Sequence, residues 1–393
     1  MEYNPFLPEV QADPFPYYAY LREHAPAYQV PGAGFWAISR YDDVLTIMKN
    51  PHVYSSANMF EAFTGDLNPF PPEAPPIVSV DPPNHTRLRK LVNRAFTPRR
   101  VASLEAHIHD VANDLVARLP AQGEFDVVSG LAAALPVIVI AELLGVPPER
   151  RVDFKRWADS LGHATNGRAV PEDARPQIRQ NSQDLFAYFE GALEDCRKHP
   201  RDSLLNDLVR AEDENQTLTA AEVLSLAVFL IAAGSETTTN LIGNAMLLLC
   251  SHSEQMAKVR SNLALVPQMV EEVLRYESPL QTLIRQAMQD VEIAGTKIPA
   301  GSFVLFLLGS ANRDERKFPE PDRFDVTRNA DGHVGFGFGI HFCLGAQLAR
   351  MEGQIALRAL LERYPRLSRT DAPLARVESI VLRGPKALPL VAG

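Results

Sequence analysis

Cysteine is scarce in this chain. The three cysteines among 393 residues, Cys196, Cys250 and Cys343, lie too far apart for a disulfide framework or a four-ligand zinc site. That usage suits a reducing compartment, so a cytoplasmic location is expected. Positive charge is in deficit: 39 Lys and Arg stand against 48 Asp and Glu, and the net charge of −9 argues against nucleic acid as a general partner. Long apolar runs are missing, since nothing approaches the ~18 consecutive apolar residues of a membrane span. The opening Met-Glu-Tyr-Asn-Pro-Phe-Leu-Pro-Glu-Val has no basic region leading into an apolar stretch, so no secretory signal is expected. Repeats and low-complexity tracts are absent as well. The 31 prolines gather in short loop stretches such as 68–76 and 317–321. A soluble protein is expected, and 46% hydrophobic residues supply a core large enough for one big domain or two small ones.

What is present is mostly helical periodicity, over 14–25, 84–96, 101–119, 131–144, 148–161, 172–199, 219–250, 268–276 and 343–364. Extended runs at 28–38, 291–293, 303–308 and 379–382 predict a small sheet, so the fold class is mainly α with a minor β region. Thr219-Ala-Ala-Glu222 reads as a capping box that opens a helix to about Cys250, roughly 45 Å long at 1.5 Å per residue. Its middle, Ala-Ala-Gly-Ser-Glu-Thr-Thr-Thr-Asn at 232–240, is a poor helix former whose hydroxyls can bond back to carbonyls, and a local bulge is expected. On the 84–96 helix, His85, Arg89, Val92 and Phe96 share one face, while Arg87, Lys90 and Arg94 share the opposite one.

The most informative stretch is Phe-Gly-Phe-Gly-Ile-His-Phe-Cys-Leu-Gly at 336–345, running into Ala-Gln-Leu-Ala-Arg-Met-Glu. Cys343 sits where a glycine-rich turn becomes a helix, and unpaired N–H groups at a helix start favour an anionic sulfur. Gly337 and Gly339 let the chain approach something flat, Gly345 keeps the first turn thin, and Phe336 with Phe342 surrounds the sulfur with apolar surface. A planar macrocycle would fit there. A dinucleotide site would not, because the glycine spacing is not Gly-x-Gly-x-x-Gly and the preceding segment is not a strand.

Phe336, Gly339, His341, Cys343 and Gly345 resemble the Phe-x-x-Gly-x-His-x-Cys-x-Gly signature of the cytochrome P450 family, and the resemblance extends over nearly the whole chain. It implies a triangular prism of helices around a buried haem b (iron protoporphyrin IX), with Cys343 as the axial thiolate. Ala233, Gly234, Glu236 and Thr237 match the family's Ala-Gly-x-(Asp or Glu)-Thr motif, which implies a groove beside the haem and a proton relay through Glu236 and Thr237. The plainer role for Thr237 is to satisfy its own helix backbone, and for Glu236 to be a solvated acid. His85, Arg89, Arg285 and His341 are implied as donors to the haem carboxylates. Glu272 and Arg275, on one helix face, are implied to form a buried structural network with Arg323, although Glu-x-x-Arg alone is common on surfaces. Arg87, Lys90 and Arg94, more often a solvated face, are implied to dock a ferredoxin or flavodoxin-type electron donor served by its reductase.

Substrate contacts are expected from 55–80, 161–170, 228–233, 280–284 and from Ile380 and Val381. Met59, Phe60, Phe63, Phe70, Val228, Leu280, Leu283 and Ile380 make that lining apolar. The resemblance therefore implies a monooxygenase that uses dioxygen and two electrons to hydroxylate or epoxidise an apolar molecule. No flavin or nicotinamide domain is expected to be fused, since about 30 residues follow the ligand helix. A peroxide-driven peroxygenase would not need the Glu236–Thr237 pair. A haem-based gas sensor or carrier would need neither the relay nor a large apolar pocket.

Overall fold

The computed structural model describes residues 1–164, 170–213 and 216–393. They form two compact units, one of Met1–Ser55, His109–Ala132 and Thr237–Gly393, the other of Ser56–Ile108 and Ala133–Glu236. Part of the expected substrate loop, 165–169, lies outside the described residues.

In the first unit a five-stranded sheet runs in the order Ala27–Gln29, Phe35–Ile38, Phe303–Leu307, Thr282–Ala287, Tyr54–Ser55. Strand Phe303–Leu307 is parallel to Phe35–Ile38 and antiparallel to Thr282–Ala287, with Val304 opposite both Trp36 and Arg285. Alternation along these strands buries Ile38, Val304 and Phe306 with Val44, Ile47, Leu308 and Ala311. The single strand expected at 28–38 is a hairpin instead, because Gly32 and Gly34 take φ of +69° and +75° and turn the chain. The strand Thr282–Ala287 was not anticipated. Nor was Pro389–Ala392, which pairs with Leu367–Arg369 and Gly123–Asp126. Residues 379–382, expected as a strand, form a loop laid against 279–282: Gln281 N–H donates to Val381 O (2.7 Å) and the Thr282 hydroxyl to Ile380 O (2.9 Å).

Helix Val266–Tyr276 buries Val266, Met269, Val270, Val273 and Leu274 at helical spacing and packs against helix Ala346–Arg363. The helix expected at 343–364 thus begins three residues later, with Gly345 as its N-cap, so Cys343 stands ahead of the first turn.

The second unit is helical. Arg151–Ala164 packs against Ala134–Leu143 and Arg175–Lys198, and Leu204–Arg210 against Asn84–Ala95. The 101–119 expectation resolves into Pro98–Ser103 and Glu105–Arg118, separated at Leu104. The long helix spans Ala220–Ser251 and opens on the expected capping box: Glu222 N–H donates to Thr219 Oγ1 (3.2 Å) and Thr219 N–H to Glu222 Oε2 (2.8 Å). It is long and apolar enough to cross a membrane by length and composition, a test that core helices of soluble proteins also pass. The expected bulge is not there. The helix is unbroken through 232–240, and the Ser235 hydroxyl bonds back to Ile231 O without interrupting it.

Candidate haem-thiolate site

The loop carrying Cys343 is closed by its own backbone. Gly337 N–H donates to Val334 O (2.9 Å), Phe342 N–H to Gly339 O (3.1 Å) and Cys343 N–H to Phe336 O (3.0 Å). Gly339, at φ +73°, lies so close to the chain that an added Cβ would meet Met48 O at 2.6 Å. Only glycine allows that approach. Cys343 is half-buried, and the Phe336 and Phe342 rings lie 6.4 Å apart. Gly345 is the N-cap of the helix that follows.

One cavity of the first unit is lined by Met48, Leu283, Arg285, Gly337, Phe338 and His341, among others. It brings together two expected cofactor donors, Arg285 and His341, at the loop that bears Cys343. Arg285 is buried on its strand, its guanidinium 5.5 Å from the Phe306 ring. A thiol on a glycine-thinned loop, with a guanidinium and an imidazole lining the adjoining cavity, is a donor set that fits an iron porphyrin bearing carboxylates.

Along the long helix, Ala233 is exposed and Ala232, Glu236 and Thr237 are partly open, while Ile231, Ser235, Thr238 and Ile242 on the opposite side are buried. Three of the four motif residues thus share one open face. Glu236 is no solvated surface acid: its carboxylate rests against Gly162 of the Arg151–Ala164 helix, where a Cβ would stand 2.0 Å from Oε1. Burial pushes its carboxyl up to about 7, with the Asp159 charge adding to the shift and Lys155 opposing it.

Arg275 and Glu272, both fully buried, pair bidentately at 2.7 and 2.9 Å. Here one expectation is corrected. The Arg323 side chain is more than half exposed and reaches Glu320 and Asp325, contributing only its carbonyl, which accepts from Arg275 at 3.4 Å. The cation that completes the network is Arg328, whose Nε donates to Glu272 Oε1 at 3.2 Å while its guanidinium also donates to the carbonyls of Pro319, Glu320 and Arg323. Both arginines sit in one loop, and only its path decides which turns inward.

On Asn84–Ala95, His85 is buried and Arg89 half-buried, as the inner face requires. The outer stripe is not uniform: Lys90 and Arg94 are exposed, whereas Arg87 is tied to Glu222 of the capping box, so it is not part of an open basic face. Of the expected substrate residues, Met59, Phe60, Phe70 and Val228 are buried, and Phe63, Leu280, Leu283 and Ile380 are partly open. Phe60 and Phe70 meet edge-on at 5.0 Å within a cluster completed by Phe186 and Phe229, neither of which stands in a recognisable motif. Val228 has no exposed surface.

Residues 168–389 match the family profile described as Cytochrome P450. The chain is 40% identical over 393 residues to Cytochrome P450 monooxygenase PikC of Streptomyces venezuelae, covering 96% of this chain and 91% of that protein. It is likewise 40% identical over 391 residues to the Vitamin D(3) 25-hydroxylase of Pseudonocardia autotrophica, covering 97% and 94%. The solved structure of Cytochrome P450 CYP109Q5 from Chondromyces apiculatus superposes with a TM-score of 0.91 at 43% identity, over 100% of this chain and 98% of that one.

Proposed function

The chain belongs to the cytochrome P450 family, and within that haem-thiolate monooxygenase activity on apolar substrates we propose how its own residues divide the work. Haem b, when bound, supplies the iron at which dioxygen is reduced. Cys343 would hold the iron through its sulfur from a loop whose backbone bonds restrict its movement, and a thiolate ligand would supply the electron density that favours O–O cleavage. Arg285 and His341 would donate to the carboxylates of the cofactor; for His85 and Arg89 that role rests on the family motif alone.

Glu236 holds a proton at its carboxyl near neutral pH and passes it to the Thr237 hydroxyl, which delivers it on the open face beside Ala233. A peroxide-driven reaction, which brings its own protons, would not need the Glu236–Thr237 pair, so the pair favours the dioxygen route. Leu283 contributes apolar surface next to Arg285, consistent with an apolar organic substrate. Exposed Lys90 and Arg94 form the docking face for an acidic ferredoxin or flavodoxin-type donor, and a first-electron transfer rate indifferent to salt would count against it. The protein works as a cytoplasmic monomer with all 393 residues serving one catalytic domain.

The observation that carries this reading is the convergence of Arg285 and His341 on one cavity at the Cys343 loop. The test is the absorption of the reduced, carbon-monoxide-bound protein, expected to show the red-shifted band that distinguishes thiolate from imidazole ligation of haem iron. Cys343→His is expected to abolish the band, and its persistence would show that another residue is the ligand.

A further inference from the structure

Glu271 and Glu272 are adjacent on one helix and serve different ends. Glu272 faces the buried Arg275. Glu271 reaches the helix that follows the cysteine loop, where Arg350 meets it with a two-pronged bond, Nε to Oε1 at 2.7 Å and Nη2 to Oε2 at 2.8 Å. A third donor arrives from the loop itself: His333 Nε2 lies 3.0 Å from Glu271 Oε2. Gly335 N–H donates to His333 Nδ1 at 3.1 Å, which leaves Nε2 as the nitrogen that carries the hydrogen. Burial alone would raise the Glu271 carboxyl, but these bonds overcome it and hold it at about 2.

The anchored guanidinium has one further neighbour. Arg350 Cζ stands 4.5 Å from the centroid of the Phe336 ring, within cation–π range. Phe336 is the residue whose carbonyl accepts the Cys343 N–H at 3.0 Å. The loop is pinned just upstream as well, since a Cβ on Gly335 would meet Leu274 O at 2.8 Å.

We propose that Arg350 is a positioning residue for Cys343: fixed by Glu271 and His333, it holds the Phe336 ring and with it the carbonyl that anchors the Cys343 N–H. Glu271 and Arg350 are each about a third exposed, and such pairs add little to global stability, so the effect is local to the ligand loop. The inference rests on the haem-thiolate reading of Cys343.

The test compares Arg350→Met, Arg350→Lys and Glu271→Gln with the wild type, all loaded with haem. Three quantities are read: the rate at which the carbon-monoxide band of the thiolate form is lost in mild denaturant, the reduction potential of the iron, and global unfolding by circular dichroism. Arg350→Met is expected to lose the band several-fold faster and to shift the potential, while its global unfolding midpoint stays near that of the wild type. Arg350→Lys, which keeps the charge without the fork, is expected to fall between. Should Arg350→Met not fold, Glu271→Gln, which frees the arginine without changing side-chain shape, is expected to show the same local loss. Variants that keep the band at the wild-type rate and potential would overturn this inference alone. A wild type without the band would overturn the haem-thiolate reading, and this inference with it.

Discussion

The carboxylate of Glu236 occupies the space that a side chain at Gly162 would fill. A Cβ on residue 162 would lie 2.0 Å from Oε1, 2.1 Å from Cδ and 2.4 Å from Oε2, so the acid is seated on bare helix backbone. Gly162→Ala is therefore expected to displace Glu236 and to lower product formed per NAD(P)H consumed. Shortening the acid should make room for the methyl group, so Gly162→Ala with Glu236→Asp is expected to recover part of the loss. Equal coupling in wild type and Gly162→Ala, measured from product, NAD(P)H and peroxide together, would show that the seat does not matter.

The pH dependence follows from the same burial. Glu236 is neutral below about 7 and ionised above it, because desolvation, reinforced by Asp159, disfavours the charged form. As proton donor it is active when protonated, so kcat is expected to be level below about 7 and to fall as pH rises through that value. Glu236→Gln cannot titrate and is expected to be slow with that limb missing. For stability the sign is the same: a carboxyl raised in the folded state contributes fully below its ordinary 4.5 and loses that contribution as pH rises through about 7. Glu236→Gln is thus expected to gain stability relative to wild type at pH above about 7 and not at acid pH, as denaturant titrations at several pH values would reveal.

In the proposed relay Thr237 acts on a proton and not on the resting complex. Thr237→Ala is expected to consume oxygen and NAD(P)H at near wild-type rates and to divert the oxygen to hydrogen peroxide, with substrate affinity nearly unchanged. Full coupling in this variant would reduce the threonine to a residue that satisfies its own helix.

Arg328 and Arg323 separate a buried network from a surface one. Arg328→Ala leaves Glu272 with less compensation and frees three carbonyls, so a loss of about 3 kcal/mol or more is expected from breaking a buried pair. Arg323→Ala removes only contacts of an exposed side chain, and a change within about 0.5 kcal/mol is expected. Denaturant unfolding of the two variants side by side would reverse the assignment if the losses came out in the opposite order.

Contiguous chemistry was the most legible part of this chain. The cysteine, its glycines and its flanking phenylalanines lie within ten residues, so local backbone geometry alone could announce them. The capping box of the long helix and the inner face of Asn84–Ala95 were readable for the same reason, since helix caps and helix faces repeat over one to three turns. The pairing of Arg87 on the outer stripe of that helix was not legible, because periodicity says which way a side chain leaves the helix but not that Glu222 waits to pair with it.

The sequence by itself determined the fold class, the thiolate loop and the acid–hydroxyl pair on the long helix, because each depends on residues that are neighbours along the chain. Only the tertiary structure decided the rest. That Arg328 and not Arg323 reaches Glu272, that Thr282–Ala287 becomes an inner strand carrying Arg285 to the cavity of His341, and that Gly162 seats Glu236 all depend on contacts between segments distant in sequence. Such contacts are fixed by how whole helices and strands bury their apolar surfaces together, and a local pattern of residues carries no record of that packing.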